Sequence, residues 1–196
     1  MKGHEGKTLH HCAWAALLLG ACSKTPEPPV AKTNPNPTQR YEITVELVDP
    51  PADIENISGI AYFSIPDVIC MPTPDRIAGY TPGSRYEKSF SLVLTGKNTY
   101  SGHIFLDWPI DEDYYGLGLC NWKFAYADAI VERGNTLRQS TRLSLAELNG
   151  KEATVGYCRT LMRDKYDFTC FTPFDDELIQ ELDPISYKMK ISSRKN

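Results

Sequence analysis

Residues 41–47 read Tyr-Glu-Ile-Thr-Val-Glu-Leu, and every second side chain in this stretch is apolar. On a strand, Tyr41, Ile43, Val45 and Leu47 would share one face, while the acidic and hydroxyl side chains would share the other. Such alternation is typical of an antiparallel strand with one face on the core and one face in water. We therefore expect a half-buried strand at this position.

Further short stretches downstream repeat the strand pattern and are separated by turn signals. We predict a hairpin over 86–107, a hairpin turn at Asn149-Gly150, and strands over 60–65, 122–126, 138–145, 153–160 and 185–191. Residues 175–183 have the composition of one short acidic helix. The sequence thus predicts an all-β fold, mainly an antiparallel sandwich or barrel-like arrangement, with one short helix.

The composition is that of an ordinary folded protein with one core. The chain has 196 residues, of which 41% are hydrophobic and 23% are charged. There are 21 Lys and Arg against 25 Asp and Glu, so no basic excess is available to neutralise a nucleic-acid backbone. No apolar run approaches the roughly 18 residues of a spanning helix. These figures exclude nucleic-acid-binding and multispan membrane classes.

The N-terminus has the pattern of an export signal. A basic start and a short apolar segment lead to Leu19-Gly20-Ala21-Cys22. This tetrapeptide resembles the lipobox of bacterial lipoproteins, in which the signal is cut before the cysteine and the cysteine is then acylated. The resemblance implies a signal peptide over 1–21 and lipidation, including palmitate, at Cys22. A buried core helix and an ordinary cleaved signal are the alternatives.

The segment after Cys22 is rich in proline. Residues 23–40 hold five prolines and almost no large apolar side chains, which favours extended backbone. We predict a lipidated cysteine and tether over 22–40 and one globular β domain over 41–196. At about 3.1 Å per residue, the tether would hold the domain roughly 50 Å from the bilayer. Ser23 and Lys24, where a retention signal would have Asp, imply by the same resemblance an outer-membrane lipoprotein that faces the periplasm.

Four cysteines remain in the globular part: Cys70, Cys120, Cys158 and Cys170. An even number in an oxidising compartment predicts two disulfides. Because Cys158 and Cys170 are equidistant from Asp164, they would face each other across a hairpin with Asp164 at its tip. This pairing leaves Cys70 for Cys120. A four-thiolate zinc site is the alternative, although the spacing contains no C-x2-C knuckle.

Few residues can carry catalysis. After signal cleavage His103 is the only histidine, so a Ser-His-Asp triad would need it, and no G-x-S-x-G motif supplies a nucleophile. Nucleotide-binding, metalloprotease and EF-hand motifs are absent from the sequence. We therefore expect no enzyme, no cofactor and no metal. The acidic run Asp111-Glu112-Asp113 supports the alternative of a glycan-binding or calcium-binding module.

The most unusual stretch covers residues 110–122, which concentrate acidic side chains, two adjacent tyrosines, two glycines, a cysteine and Trp122. Trp122 is expected to pack into the core, and the acidic and aromatic groups suit a protein interface. The partner-binding residues that we predict are Asp111, Glu112, Asp113, Tyr114 and Tyr115, with a second acidic patch at Asp175, Asp176 and Glu177.

The motif Tyr115-Gly-Leu-Gly-Leu-Cys120-Asn-Trp122, with the lipobox and the Pro-rich tether, resembles immunity lipoproteins encoded beside phospholipase effectors of type VI secretion. The resemblance implies a cognate effector enzyme as the partner. We expect a lipoprotein that binds this effector and neutralises it. A structural or assembly lipoprotein of an envelope complex is the alternative.

Overall fold

The computed structural model describes residues 27–72, 83–133, 137–150, 152–159, 170–173, 176–182 and 186–196. The predicted signal peptide, the lipidation site at Cys22, the hairpin tip at Asp164 and the acidic residue Asp175 all lie outside these ranges. The architecture below therefore concerns the globular part and the last residues of the predicted tether.

The described residues form nine strands in two sheets. The strands are β1 (Arg40–Val48), β2 (Ile54–Ser64), β3 (Tyr86–Ser91), β4 (Val93–Gly96), β5 (Thr99–Phe105), β6 (Lys123–Arg133), β7 (Leu137–Ser144), β8 (Thr154–Arg159) and β9 (Ser186–Lys195). One sheet has the order β4-β5-β1-β9-β8 and the other β3-β2-β6-β7. All pairs are antiparallel. The predicted all-β antiparallel fold is confirmed.

Among the residues that the structure describes, two short helices accompany the sheets, where the sequence predicted one. Helix α2 (Asp176–Leu182) is the acidic helix expected over 175–183. Helix α1 (Leu145–Leu148) was not predicted, and it follows Ser144, whose side chain forms a reciprocal capping box with Glu147. A single 3-10 turn covers Val68–Cys70. Of the described helices, none has the length and apolar character needed to cross a membrane.

The inward faces of the two sheets share one apolar core. In β1 the predicted alternation holds, because Ile43 and Val45 are fully buried while Glu46 is exposed. The four-stranded sheet contributes Phe63 and Val131, among others, to the same buried cluster. Each such side chain stabilises the fold by roughly 1.5–3 kcal/mol when it leaves water.

Residues 86–96 do not form one arm of a hairpin, as the sequence had indicated. Strand β3 pairs with β2 in the four-stranded sheet, whereas β4 pairs with β5 in the other sheet. The chain passes from one sheet to the other at Leu92, which is buried between the two strands. Only the second half of the predicted hairpin, β4 and β5, pairs as expected.

The predicted hairpin turn at Asn149-Gly150 is also wrong. Asn149 is the C-cap residue of α1, and the strands on either side belong to different sheets. Residues 170 and 171 link the β7 edge of one sheet to the β8 edge of the other instead. The Cys170 N–H donates to the Ser140 carbonyl of β7 at 3.0 Å, and Phe171 pairs with Tyr157 of β8.

Both predicted disulfides are confirmed. Cys70 bonds to Cys120 and Cys158 bonds to Cys170, with Cα–Cα distances of 5.3 and 4.3 Å. The first bond closes a 50-residue separation and the second a 12-residue separation. On the chain-entropy model these bonds contribute about 4 and about 3 kcal/mol of stability.

A buried polar cluster ties the two sheets together. Arg133 of β6 is buried, and its guanidinium binds both carboxylate oxygens of Asp53 at 3.0 and 3.1 Å. It also donates to the Arg159 carbonyl of β8, and Gln139 of β7 accepts a bond from the Tyr187 hydroxyl of β9. Burial raises the pKa of Tyr187 to about 12. Gln139 Nε2 also donates to the Arg159 carbonyl, so Arg133 adds to a cluster that already links β7, β8 and β9.

We expect Gly102→Ala to destabilise the domain. A Cβ at position 102 would lie 2.3 Å from the Ser91 carbonyl oxygen, beside the sheet crossing at Leu92, and this backbone atom cannot turn away. The expected loss in the free energy of unfolding is about 1–3 kcal/mol, measured by urea denaturation. Gly96→Ala on the neighbouring strand is the control, because its Cβ would meet nothing closer than 3.5 Å. Equal stability of the two variants would contradict the close approach.

Candidate functional site

Residues 27–39 lie along the sandwich and are called the N-terminal strap below. The Asn34 N–H donates to the Trp108 carbonyl at 2.6 Å, and the Ile110 N–H donates to the Lys32 carbonyl at 2.9 Å. Thr33 forms an isolated antiparallel bridge with Pro109. Pro29 is buried. Through these contacts the strap pairs with residues 108–110 and is part of the folded domain.

Asp107 holds the end of the strap that leads into β1. Its two carboxylate oxygens accept bonds from the Thr38 N–H at 2.8 Å, the Thr38 hydroxyl at 3.1 Å and the Gln39 N–H at 3.0 Å. Burial alone would raise the pKa of Asp107, but these donors stabilise the carboxylate, and its pKa lies below the ordinary value.

The strap corrects the predicted free-standing tether. The sequence favoured an extended spacer over residues 23–40, because proline-rich segments without large apolar side chains rarely build a core. In the structure, backbone pairing with residues 106–110 fixes residues 32–39, and Ala31 packs against the core. Proline tolerates this position because a strand edge leaves some N–H positions without a required partner. Only residues 23–26 lie between Cys22 and the strap.

The predicted partner-binding residues lie on the loop over 107–122, where the acidic side chains bond to the loop itself. The Asp111 carboxylate accepts the Trp122 N–H at 2.7 Å. The Asp113 carboxylate accepts the N–H groups of Tyr115 and Leu117. Burial alone would raise the pKa of Asp113, but backbone N–H groups of the following turn hold it below the ordinary value.

The remaining predicted loop residues also have partners within the chain. Glu112 pairs with Lys32 of the strap at 2.6 Å, and this bond raises the pKa of Lys32. The Tyr114 hydroxyl donates to the Ile110 carbonyl and accepts the Trp122 indole N–H. The Tyr115 hydroxyl donates to a strap carbonyl, that of Glu27, at 2.8 Å. These groups therefore shape the loop, and their contact with a partner stays a prediction.

A cluster of aromatic rings packs between the loop and the core. Trp122 is 4% exposed, so its expected place in the core is confirmed. Its ring meets the edges of Tyr86 and Tyr114, and Phe63 makes similar contacts with Trp108. Such edge-to-face pairs each add about 0.5–1.5 kcal/mol beyond area burial. The loop is thus anchored by rings, by hydrogen bonds and by the Cys70–Cys120 bond.

The second predicted acidic patch is described only in part. Glu177 is exposed on α2, whereas Asp175 lies outside the described residues. Asp176 begins α2, and only its backbone is described. The role of these three residues as partner contacts stays a prediction.

Several apolar side chains stay exposed around the Cys70–Cys120 bond. Ile69 precedes one cysteine and is 81% exposed, and Leu119 precedes the other and is 59% exposed. Leu117 on the same loop and Val30 on the strap are also exposed. We call these four residues the apolar rim.

A second surface feature, which the sequence interpretation missed, lies on the outward face of the four-stranded sheet. Tyr62 of β2 is directly opposite Tyr126 of β6, and their ring centroids are 4.5 Å apart. The Arg142 guanidinium lies 3.6 Å from the Tyr126 ring, and the Arg85 guanidinium lies 4.8 Å from the Tyr62 ring. We call these four residues the tyrosine row. The sequence feature that could have revealed this row is the presence of Tyr62 and Tyr126 within apolar strands, at positions where the side chain faces outward.

Asp128 fixes one end of the tyrosine row. Both of its carboxylate oxygens accept bonds from Arg142, at 2.9 and 3.2 Å, and this hydrogen bonding raises the pKa of Arg142. Burial, followed by the nearby carboxylates of Asp128 and Glu87, raises the pKa of Tyr62. The Arg142 side chain is still 57% exposed. The row is therefore rigid and accessible.

No cluster of metal-binding side chains is found in the described parts of the chain. Among these residues, no three His, Cys, Asp or Glu side chains converge to hold a metal ion. His103 contacts the Arg40 guanidinium through its Nε2 atom. An open groove of about 410 Å³ at the β2 and β3 edge is lined by hydroxyl, amide and apolar side chains, and no ionisable group lines it. Comparisons with protein-family models, with characterised proteins and with solved structures find no match to this chain.

We expect Asp107→Ala to loosen the strap without unfolding the sandwich, because it removes three hydrogen bonds to residues 38 and 39. Limited proteolysis should cut within residues 27–39 faster than in the parent chain. Since the folded-state pKa is lowered, the stabilisation is present at neutral pH and is lost as pH falls below about 4.

Glu55→Ala is the control, because Glu55 is an exposed carboxylate on β2, a strand that does not pair with the strap. Equal cleavage of the strap in Asp107→Ala and in the parent chain at neutral pH would contradict the role of the carboxylate.

Proposed function

We propose that this protein is a lipid-anchored, periplasm-facing lipoprotein of the outer membrane that binds a toxic effector enzyme and neutralises it. The observation that carries the proposal is the tyrosine row. It is an accessible set of two tyrosines and two arginines on a sheet face. Tyr and Arg are the residue types that most often dominate protein interfaces.

The row suits binding because it loses little freedom when a partner covers it. Arg142 is already held by both oxygens of Asp128 and by the Tyr126 ring. Each immobilised side chain otherwise costs about 0.5–1.5 kcal/mol of ordering on binding. The sheet beneath the row is rigid, and β2 pairs with a neighbour on each side. A pre-formed surface of this kind can reach high affinity from a modest area.

The two disulfides agree with the proposed compartment. Disulfides persist in exported proteins and are rare where thiols are kept reduced. The lipobox resemblance of Leu19-Gly20-Ala21-Cys22 supplies the anchor, and the resemblance to immunity lipoproteins supplies the class of partner. An inhibitor needs no catalytic group, since it acts by covering the effector. The Asp111 and Asp113 carboxylates, by contrast, accept backbone N–H groups, and Glu112 pairs with Lys32, which does not favour a glycan-cleaving or calcium-dependent site.

The partner should be recovered by using the mature chain as bait on detergent-solubilised envelope and on secretions of competing strains. Recovery of one secreted hydrolase at about one-to-one, with loss of its activity on binding, is the expected result. Recovery of envelope machinery alone would contradict the inhibitor proposal and support the structural or assembly lipoprotein instead.

With the partner in hand, Arg142→Ala should weaken binding at least tenfold, which is about 1.4 kcal/mol. Arg138→Ala is the matched control, since Arg138 lies on the same strand, is 56% exposed and pairs with Glu132. Binding is measured by calorimetry, and circular dichroism confirms that both variants fold. An affinity of Arg142→Ala equal to that of the parent chain would exclude the tyrosine row as the binding surface.

A further inference from the structure

The distance between the lipid anchor and the domain is set by the strap. Glu27 is the first described residue, and its carbonyl is bonded to the Tyr115 hydroxyl at 2.8 Å. Four residues, 23–26, separate it from Cys22. A chain of this length spans at most roughly 17 Å when fully extended. The point at which the strap meets the loop is therefore held close to the acylated cysteine.

The apolar rim lies at this point of the domain. Leu117 and Leu119 follow Tyr115 on the loop, and Ile69 is joined to the same loop through the Cys70–Cys120 bond. Val30 lies on the strap between its contacts with Tyr115 and Glu112. Exposed apolar side chains that gather on one surface mark a site of contact with another apolar phase.

The charges around the rim indicate which surface it fits. Glu27, Asp67, Asp111 and Asp113 are acidic, while Glu112 is neutralised by Lys32. A strongly anionic surface would be repelled by this set. A zwitterionic bilayer carries no net charge and would not repel these residues. Apolar side chains enter the headgroup boundary of such a bilayer to a depth of about 5–10 Å.

We propose that the apolar rim rests on the lipid surface, with Leu117, Leu119, Ile69 and Val30 inserted in the headgroup boundary. This inference rests on acylation of Cys22, which is part of the proposed function. Lipid anchor and rim then act as two membrane contacts on one face. The domain is seated on the bilayer instead of standing off at the end of a tether. The tyrosine row lies on the outward face of the sheet and is not part of this contact.

The test places a tryptophan on the rim of the full, lipidated chain. Leu119→Trp is compared with Leu94→Trp, because these leucines are 59% and 60% exposed and Leu94 lies on the edge strand β4, away from the rim. The proteins are reconstituted in zwitterionic phosphatidylcholine vesicles with and without lipids brominated near the headgroup. The parent chain, in which Trp108 and Trp122 are buried, gives the background.

We expect brominated lipid to quench the added Leu119→Trp fluorescence by about half or more and to leave Leu94→Trp nearly unchanged. Leu117→Trp is a second rim variant in case one substitution disturbs the fold. Equal quenching at both positions, or quenching at position 94 alone, would overturn the inference. Lack of quenching at positions 119 and 117 in a folded, membrane-bound chain would also overturn it.

Intact-mass measurement of the purified mature chain separates this outcome from failure of the proposed function. A chain that starts at Cys22 with acyl chains attached, but shows no quenching on the rim, contradicts only the seating on the bilayer. A chain without acyl groups contradicts the lipoprotein proposal itself, and the seating inference with it.

Discussion

The backbone hydrogen bonds between residues 32–39 and 106–110 are the contacts on which the placement of the whole domain depends. They turn a proline-rich segment into a strap that runs along the sandwich and ends within a few residues of Cys22. Without them, residues 27–39 would be a free spacer before β1. With them, residues 27–39 are part of the folded domain.

The same contacts explain why the loop over 107–122 looks so unusual in the sequence. Its acidic side chains accept backbone N–H groups, and its tyrosine hydroxyls accept an indole N–H and donate to a strap carbonyl. The Cys70–Cys120 bond ties the end of the loop to residue 70. A loop that bonds so extensively to itself and to the strap is rigid, and it leaves apolar side chains at its surface. The surface that we propose for a protein partner lies on the four-stranded sheet instead, where Asp128 binds Arg142 and the Arg142 guanidinium lies over the Tyr126 ring.

Much of the fold could be predicted because it depends on local patterns. The alternation in residues 41–47, the acidic helix and the spacing of Cys158 and Cys170 are each visible in a short window. The sheet crossing at Leu92 could not be predicted, because residues 86–96 alternate in the same way whether they pair in one sheet or in two. The strap was missed because its bonds are to residues about 70 positions later. The tyrosine row was missed because Tyr62 and Tyr126 come together only through the register of β2 and β6.

Hydrogen exchange on the protein tests most directly whether the strap belongs to the fold. The N–H groups of Asn34, Leu106 and Ile110 bridge the strap and the loop. We predict that they exchange as slowly as N–H groups in the centre of β1, such as that of Val45, because both would open only with the domain. Exchange of Asn34 and Ile110 at the rate of an unstructured peptide, with β1 still protected, would contradict the docked strap and restore the free tether.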